Sequence, residues 1–478
     1  MWRCPVCQTK NSENKITCAV CGNTRTPSKD LYVLTNSRVG NSFVRLGIKF
    51  RPHMRKYGLI YTALLFILLL SLFITEYDDI CHYFERRQAV EFTDSNLNSV
   101  MIARYANKPW ITKGELEDIT YLYLPKLGIT NLNGLEYCKN LKTLNLADNK
   151  IIDLTPISSL HQLTSLNISG NKISDISVLY GLTGLESLAL SNTGITDLSQ
   201  LTNFPEISAL DIPHNGITDI SALSEMQNLK YLDISSNEIT DITPLSELQS
   251  LHILWCSFND ISDISPLSAL INLNTIDINF NNVADILPLT HLSGIASLYL
   301  SYNPIADISP LAQLDSLRFL ELVGLGITDI KPISQLSSLY YIVLSRNNIS
   351  DISPLAELSE LENLLLNENK ITDISALSKL TSIEWLDLSS NTISDISPLA
   401  GLDKLANLEL NNNKITDISV LAEMPSLSDI ELKDNQITDV SPLSQSVDLG
   451  HLNIMGNPIT DFSPIEHLRN YRFFKLTR

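Results

Sequence analysis

The sequence repeats itself every 22 residues over most of its length. Fifteen units follow one another from Leu141 to Asn470 without an insertion or a deletion. Each fits the frame L-x-x-L-x-L-x-x-N-x-I-x-D-I-x-P-L-x-x-L-x-x, as in LKYLDISSNEITDITPLSELQS (229–250). A unit this short buries its apolar face only against neighbouring units. The repeat therefore predicts an α/β solenoid, in which each unit supplies one short parallel strand, a turn and a 3₁₀ or irregular segment.

This frame resembles the leucine-rich repeat. The 22-residue length and the segment I-x-D-I-x-P-L look like the internalins of bacterial surfaces, and a phosphatase-regulator subclass of leucine-rich repeats shares that length. The resemblance implies a horseshoe with parallel strands on its concave side and irregular segments on its convex side. Residues 119–140, which end in GLEYCKN, fit as a degenerate first turn and also resemble the entrance of an internalin.

Two polar positions recur along the repeats. The ninth residue is Asn in thirteen units, and we expect its amide to bond backbone groups that the turn would otherwise bury without partners. Thr193 can do part of this work, whereas Leu325 cannot, so the ninth unit is a predicted weak point. The thirteenth residue is Asp in all fifteen units. It is typical of a turn cap, and a calcium-binding ladder of stacked carboxylates is the alternative.

The segments that flank the repeats have their own predictions. Residues 78–140 are predicted to form a helical cap with the degenerate first repeat, which shields the open edge of the stack. Within it, Leu97, Val100, Met101 and Tyr105 share one face of a predicted helix. Thr112 and Glu115 form a capping box that opens the next helix. Residues 471–478 are predicted to add a terminal strand.

An uncharged segment lies well before the repeats. Residues 57–77, YGLIYTALLFILLLSLFITEY, would span roughly 31 Å as a helix, about the thickness of a bilayer core. The net charge of −19 is unevenly divided about it. Residues 1–56 carry eleven Lys and Arg against two acids, and the acidic charge follows the segment. Positive charge stays in the cytoplasm. We therefore predict a single-pass anchor with a cytoplasmic N-terminus and extracytoplasmic repeats.

Four of the seven cysteines precede that segment in two C-x-x-C pairs. This spacing is typical of a tetrahedral zinc site within residues 1–24, and a pair of redox motifs is the alternative. The predicted ligands are Cys4, Cys7, Cys18 and Cys21. With Trp2 and Asn11, the pattern resembles the Ran-binding-protein type of zinc finger, and CPVC…CAVCG resembles the short zinc ribbons of bacterial membrane proteins. Residues 25–56 are a predicted basic linker, which an anionic inner leaflet would attract.

The other three cysteines carry weaker expectations. Cys138 and Cys256 are predicted to be buried thiols, since Cys256 occupies a core-facing leucine position. Cys81 follows the predicted membrane span and could link two chains, although a free thiol is an equal alternative.

Aromatic residues are concentrated on one face of the central repeats. Positions three, five and seven should project from the concave face, with position eight at its rim. Units five to twelve hold nine aromatic residues at these positions and the flanking units hold none: Tyr231, Trp255, Phe258, Phe280, Tyr299, Tyr302, Phe319, Tyr341 and Trp385. We interpret them as a ligand-binding patch, because Trp and Tyr dominate binding hot spots. An aromatic ladder that only stiffens the sheet is the alternative.

No catalytic motif is present, so we expect a binding protein rather than an enzyme. The leading hypothesis is a membrane-anchored receptor or adhesion protein of a bacterial surface that recognises a protein or glycan on its concave face. Carboxylates on that face suggest some basic character in the ligand, and nucleic acid is not an expected partner. In a second hypothesis the zinc finger is the active end, docking RNA or a cytosolic protein while the repeats serve as a spacer. A third is an intracellular scaffold resembling the phosphatase regulators.

Overall fold

The computed structural model describes residues 85–470 apart from 107, 174, 447 and 448, together with 2–3, 10–11, 67, 68, 71 and 474–475. The chain divides into two compact units. One comprises Met1–Thr164 with Val178–Leu182, and the other comprises Ser165–Ser177 with Thr183–Arg478.

Between residues 95 and 145, the first unit forms the helices Ser95–Tyr105 and Lys113–Glu117 and then the strands Tyr121–Tyr123 and Thr143–Asn145, which pair in parallel. Asp94 caps the first helix by accepting hydrogen bonds from the backbone N–H groups of residues 96 and 97. The predicted capping box between Thr112 and Glu115 is present.

The first helix also covers the edge of the first strand. Leu97 and Met101 on this helix are fully buried, whereas Val100 and Tyr105 are only partly so. Arg104 donates a hydrogen bond to the carbonyl of Tyr123, at 2.7 Å, and the hydroxyl of Tyr105 donates to the carbonyl of Tyr121, at 3.4 Å. These bonds occupy carbonyl groups that an exposed strand edge would offer to another chain.

The second unit contains fourteen strands of three residues, each paired in parallel with the next at a register of 22 residues. They are Ser165–Asn167, Ser187–Ala189, Ala209–Asp211, Tyr231–Asp233, Ile253–Trp255, Thr275–Asp277, Ser297–Tyr299, Phe319–Glu321, Tyr341–Val343, Asn363–Leu365, Trp385–Asp387, Asn407–Glu409, Asp429–Glu431 and His451–Asn453. A two-residue strand, Phe474–Lys475, pairs with the last of them. The predicted solenoid of parallel strands is confirmed.

A 3₁₀ segment lies between successive strands. The 3₁₀ helices are Leu135–Tyr137, Thr155–Ile157, Ser177–Leu179, Leu198–Asn203, Ser221–Glu225, Thr243–Glu247, Ser265–Ala269, Leu287–His291, Ser309–Gln313, Lys331–Gln335, Ser353–Leu355, Ser375–Lys379, Ser397–Leu399, Ser419–Glu423, Ser441–Gln445 and Ser463–Asn470. Pro at the first turn of most of them fits this geometry, because proline has no N–H to leave unpaired there.

The core of each repeat is a column of aliphatic side chains. In residues 229–250 it comprises Leu229, Leu232, Ile234, Ile239, Ile242, Leu245 and Leu248, all at most 1% exposed. Full burial of each such side chain contributes about 1.5–3 kcal/mol, so every repeat is held mainly by contact with its two neighbours.

The Asn at position nine forms a hydrogen-bonded ladder beneath the strands. The Nδ2 group of Asn281 donates to the carbonyls of Cys256, at 3.0 Å, and Ile278, at 3.1 Å, and its Oδ1 accepts from the N–H of Ile261, at 3.0 Å. Each Asn thus pairs buried backbone groups of its own unit and the preceding one, as predicted. Thr193 takes over one of these bonds by donating its hydroxyl to the carbonyl of Leu190, at 2.8 Å.

The ladder is interrupted at Leu325. In most other units the N–H at position eleven donates to the Asn of the next unit, as Val283 donates to Asn303 at 3.0 Å. Ile173 and Ile195, on either side of Thr193, do not form this bond among the described residues. The corresponding N–H of Ile305 faces Leu325, and none of the described residues accepts a hydrogen bond from it. Ile305 is only 1% exposed. A buried donor without a partner costs stability, which supports the predicted weak point.

The Asp at position thirteen caps the turn in all fifteen units. Its Oδ1 accepts the N–H two residues later, as in the 2.8 Å bonds from Ser265 to Asp263 and from Thr155 to Asp153. Hydrogen bonds from Ser265 lower the pKa of Asp263. The capping interpretation is confirmed. Within the described part of the chain, no group of three or more His, Cys, Asp or Glu side chains is placed to hold a metal ion.

Most of the predicted membrane span lies outside the described residues. Its described residues Ile67, Leu68 and Ser71 are helical. None of the helices in the described ranges has the length and apolar character needed to cross a bilayer. The four predicted zinc ligands and Cys81 also lie outside the described residues, although strands Trp2–Arg3 and Lys10–Asn11 on either side of the first C-x-x-C pair are antiparallel partners.

Candidate functional site

The candidate site is the surface formed by positions three, five and eight of the repeats in the second unit, which we call the strand face. Side chains at positions three and five point away from the core, because position four between them is buried. Position seven is not uniformly exposed. Most of its residues are half-buried, as at positions three and five, whereas Ser257, Ser301 and Ser345 are buried. Ser301 is 1% exposed and bonds the neighbouring strand, donating its hydroxyl to Glu321 and accepting from the N–H of Val323.

Position eight adopts a left-handed backbone conformation in every unit, with φ between 51° and 72°. Gly and Asn suit this conformation best, and bulky side chains are uncommon there. Three consecutive units nevertheless carry aromatic residues: Phe258 (φ 55°), Phe280 (φ 54°) and Tyr302 (φ 55°). An aromatic side chain is thus used three times where the backbone favours a small one.

These three residues form a continuous stack, which we call the ring ladder. The ring centroids of Phe258 and Phe280 are 4.2 Å apart with an interplanar angle of 11°, and those of Phe280 and Tyr302 are 4.3 Å apart at 18°. Phe258 is 53% exposed and Phe280 is 39% exposed. Because the rings lie face to face, the ladder presents mainly ring edges to solvent.

The far end of the ring ladder is closed by Gly324 and Arg346. A Cβ atom on Gly324 would lie 2.7 Å from the Tyr302 ring, so only glycine leaves room for the ring at this position. The guanidinium of Arg346 donates to the Tyr302 hydroxyl at 3.1 Å and pairs with Glu368 at 3.0 Å. These contacts fix the last ring in place.

Two further ring groups lie on the strands themselves. Tyr299 and Phe319 are 4.6 Å apart at their centroids, and Phe319 and Tyr341 are 4.9 Å apart. Tyr231 and Trp255 are 6.0 Å apart with a tilt of 59°, and Trp255 is 42% exposed.

The structure thus brings eight of the nine predicted residues into three ring groups. Trp385 is the exception, because strand Asn363–Leu365 separates it from Tyr341. Its indole N–H donates to Glu409 at 3.3 Å. Trp385 therefore lies on the same face but outside the three groups.

Carboxylates alternate with these rings along position five. Three of the four aspartates in this row are supported by their own backbone, since Asp233, Asp277 and Asp387 accept the N–H of the residue at position seven at 2.9 Å. Asp211 lacks this bond, because position seven of its unit is Pro213, which has no N–H. Its Oδ1 is buried without a hydrogen-bond partner among the described residues.

The electrostatics of this region follow from burial and from like charges. Burial raises the pKa of Asp211 to about 6, and the negative charge of Asp233 on the next strand adds to the rise. Burial also raises the pKa of Tyr231 to about 12, with contributions from both aspartates. The pKa of Asp277 is raised chiefly by burial. Further along the face, burial and the charge of Asp387 raise the pKa of Glu409.

Sequence reasoning identified the rings but missed how they are held. The left-handed conformation of position eight and the closure by Gly324 follow from the repeat only once its turn geometry is known. Pro213 is different, because D-I-P at 211–213 departs visibly from the D-I-S of the next unit. That departure was the available signal for an unsupported carboxylate.

Two cysteines lie within the described repeats and cap. Both Cys138 and Cys256 are buried, as predicted, and neither forms a disulfide. Burial raises the pKa of the Cys138 thiol to about 12 and that of Cys256 well above its usual value. Neither thiol is reactive at neutral pH.

Solved structures similar to this chain include several bacterial proteins. A leucine-rich repeat protein of Leptospira interrogans shares 25% identity over 75% of this chain and 95% of its own, with a TM-score of 0.67. The functional domain of InlJ from Listeria monocytogenes, which includes a cysteine ladder, shares 26% identity over 74% of this chain and 76% of its own, with a TM-score of 0.57. The internalin InlF of the same species shares 33% identity over 77% of this chain and 96% of its own, with a TM-score of 0.49.

Family models match the repeats directly. The model described as "Leucine Rich repeats (2 copies)" matches residues 161–203, 205–247, 249–291 and 381–423, and two others described as "Leucine rich repeat" match 337–393 and 137–153. A comparison with curated protein sequences gives no match. The chain is a leucine-rich repeat protein that forms a protein-interaction scaffold, and internalins are among its structural neighbours.

Proposed function

We propose that this protein is a membrane-anchored cell-surface receptor or adhesion protein that binds a polypeptide ligand on its strand face. The ring ladder is the observation that carries the proposal. Two exposed phenylalanines in a left-handed backbone contribute nothing to the core and are held in a fixed stack. A rigid, exposed aromatic surface is the kind of anchor on which binding energy concentrates.

The ring geometry favours a polypeptide over a glycan. A sugar ring would bind an aromatic residue by lying on its face, yet both faces of Phe280 are covered by Phe258 and Tyr302. Phe319 is likewise flanked by two rings, Tyr341 stacked at 27° and Tyr299 tilted at 33°. Ring edges and the gaps between them accept aliphatic and aromatic side chains instead.

The anchor and the zinc finger complete the proposed arrangement. Residues 57–77 would cross the membrane once, with basic residues on the cytoplasmic side and the repeats outside. Cys4, Cys7, Cys18 and Cys21 would hold one zinc ion in the reducing cytoplasm, where free thiols persist. The support for both is the sequence pattern.

Site-specific photo-crosslinking on intact cells tests the binding surface. A benzophenone amino acid replaces Phe258 or Phe280 in the full chain, and matched controls carry it at Ile271 or Leu287. These controls are exposed residues of the same two units that lie away from the strand face. We expect a discrete polypeptide adduct, identified by its tryptic peptides, from the strand-face positions alone. Adducts of equal yield from the controls, or an adduct without peptide content, would contradict the proposal.

Accessibility labelling tests the orientation. An impermeant maleimide is applied to intact cells that carry a cysteine at Ser236 in the repeats or at Ser28 in the N-terminal segment. Labelling at Ser236 alone supports the receptor arrangement. Labelling at neither position supports the intracellular scaffold, and labelling at Ser28 alone shows that the orientation is reversed.

A further inference from the structure

The strand face has a surplus of negative charge along its length, and in residues 339–470 its positions hold six carboxylates and one Arg. Positions three, five and eight of residues 207–338 hold four carboxylates, Asp211, Asp233, Asp277 and Glu321, and no Lys or Arg. None of the four forms an ion pair within the described ranges. The nearest Arg on the face, Arg346, is already paired with Glu368. Uncompensated charge on a binding face selects a ligand of opposite sign.

Within this region, Asp211, Asp233 and Trp255 follow one another on adjacent strands at position five. Strand spacing places such neighbours roughly 5 Å apart. Within the described part of the chain, the Oδ1 atom of Asp211 has no hydrogen-bond donor, since Pro213 removes the one that its counterparts use. Trp255 is 42% exposed beside Tyr231. A guanidinium or ammonium group could therefore lie against an indole ring with two carboxylates alongside.

We infer that the bound polypeptide places an Arg or Lys side chain on Asp211, Asp233 and Trp255, while its apolar side chains occupy the ring ladder. This inference rests on the proposed function and specifies the ligand further, as an extended segment of basic and apolar character. The six strands from 209 to 321 span roughly 24 Å. About eight extended residues cover that distance.

Selection from a random peptide library tests the inference with ligands that the selection itself supplies. A phage-displayed library of peptides of about twelve residues, long enough to cover the span, is selected on the detergent-purified full chain. Phage that also bind a ladder variant, F258S/F280S/Y302S, are removed. We expect the retained peptides to be enriched in Arg or Lys flanked by apolar residues.

Charge variants then test the position of the cation. For a retained peptide, fluorescence anisotropy compares the wild type with D211N/D233N and with the control variant D387N, which changes an aspartate of the same row outside the patch. We expect D211N/D233N to weaken binding roughly tenfold or more and D387N to leave it within about twofold. Replacing the peptide's Arg or Lys with Gln should produce the same loss on the wild type.

Two kinds of failure are distinguishable. Retained peptides without enrichment in Arg or Lys, or an unchanged affinity for D211N/D233N, overturn the cation site while leaving the strand-face proposal in place. A selection that retains no peptide after subtraction on the ladder variant overturns the proposed polypeptide site and the inference with it.

Discussion

Replacing Leu325 with asparagine should stabilise the protein. Leu325 occupies position nine of its unit, where thirteen of the fifteen units have Asn. The substitution supplies an Oδ1 acceptor for the buried N–H of Ile305. It also supplies an amide that donates to the carbonyls of Leu300 and Leu322, as Asn281 does to its equivalents.

The expected gain follows from the groups involved. Satisfying one buried backbone donor relieves about 1–3 kcal/mol. The carbonyls contribute little more, because Leu300 already accepts from Asn303 and Leu322 from Asn347. Loss of the partly buried leucine side chain costs about 1 kcal/mol. The net gain should be about 1 kcal/mol and at most about 2 kcal/mol, confined to the contact between residues 295–316 and 317–338, because repeats couple mainly to their neighbours.

Native-state hydrogen exchange on the full chain measures this gain where it arises. In the wild type the amide of Ile305 should exchange faster than that of Val283, which has its Asn acceptor. L325N should slow exchange at Ile305 roughly fivefold and at most about thirtyfold, the equivalent of about 1 and about 2 kcal/mol. The matched variant N347L removes an established Asn and should accelerate exchange at Ile327. Equal protection of Ile305 and Val283 in the wild type, or faster exchange in L325N, would refute the reasoning.

Three further predictions concern the strand face and the N-terminal segment. Asp211 has a native pKa of about 6 against an unfolded value near 3.8, so ionisation destabilises the native state as the pH rises. After discounting for solvent screening of this half-buried carboxyl, D211N should stabilise by about 1–2 kcal/mol at pH 7 and by well under about 1 kcal/mol at pH 4, measured by denaturant titration at both. G324A should displace the Tyr302 ring and lower the melting temperature by a few degrees, because Gly324 has a φ of +69° and an added Cβ would lie 2.7 Å from the ring. The control G181A changes an exposed glycine and should leave the melting temperature unchanged. The purified chain should contain one zinc ion by elemental analysis, and C18S should lose it.

The repeat architecture was predictable because the same frame recurs fifteen times. A leucine at positions one, four and six and an Asp at position thirteen have a single consistent role in every copy, and burial and capping confirm it. The surface was less predictable. Position seven was assigned to the exposed face from strand alternation alone, but each strand ends at position five, and the turn that follows buries this position in three units, at Ser257, Ser301 and Ser345.

The alternation of side chains also could not predict how the aromatic residues are grouped. Residues 22 apart in sequence become neighbours, so the stack of Phe258, Phe280 and Tyr302 follows from the register. The face-to-face orientation depends instead on the left-handed backbone at position eight, which directs all three rings along the same line. Because of this orientation the stack exposes ring edges rather than ring faces, and the proposed preference for a polypeptide over a glycan depends on that difference.

Pro213 and Leu325 both depart from the repeat frame, and both leave a polar group without its hydrogen-bond partner, but the consequences for function differ. Each removes one hydrogen-bond partner that every regular unit supplies, and each leaves a polar group unsatisfied. The N–H of Ile305 is sealed beneath the strands, where no ligand can reach it, so its cost is purely one of stability. Asp211 lies on the strand face and is only partly buried, although its unpaired Oδ1 atom is itself covered, so a bound cation can still approach the carboxylate and offset that cost. An unsatisfied group therefore indicates a binding site only where its residue remains partly exposed, and of these two residues only Asp211 meets that condition.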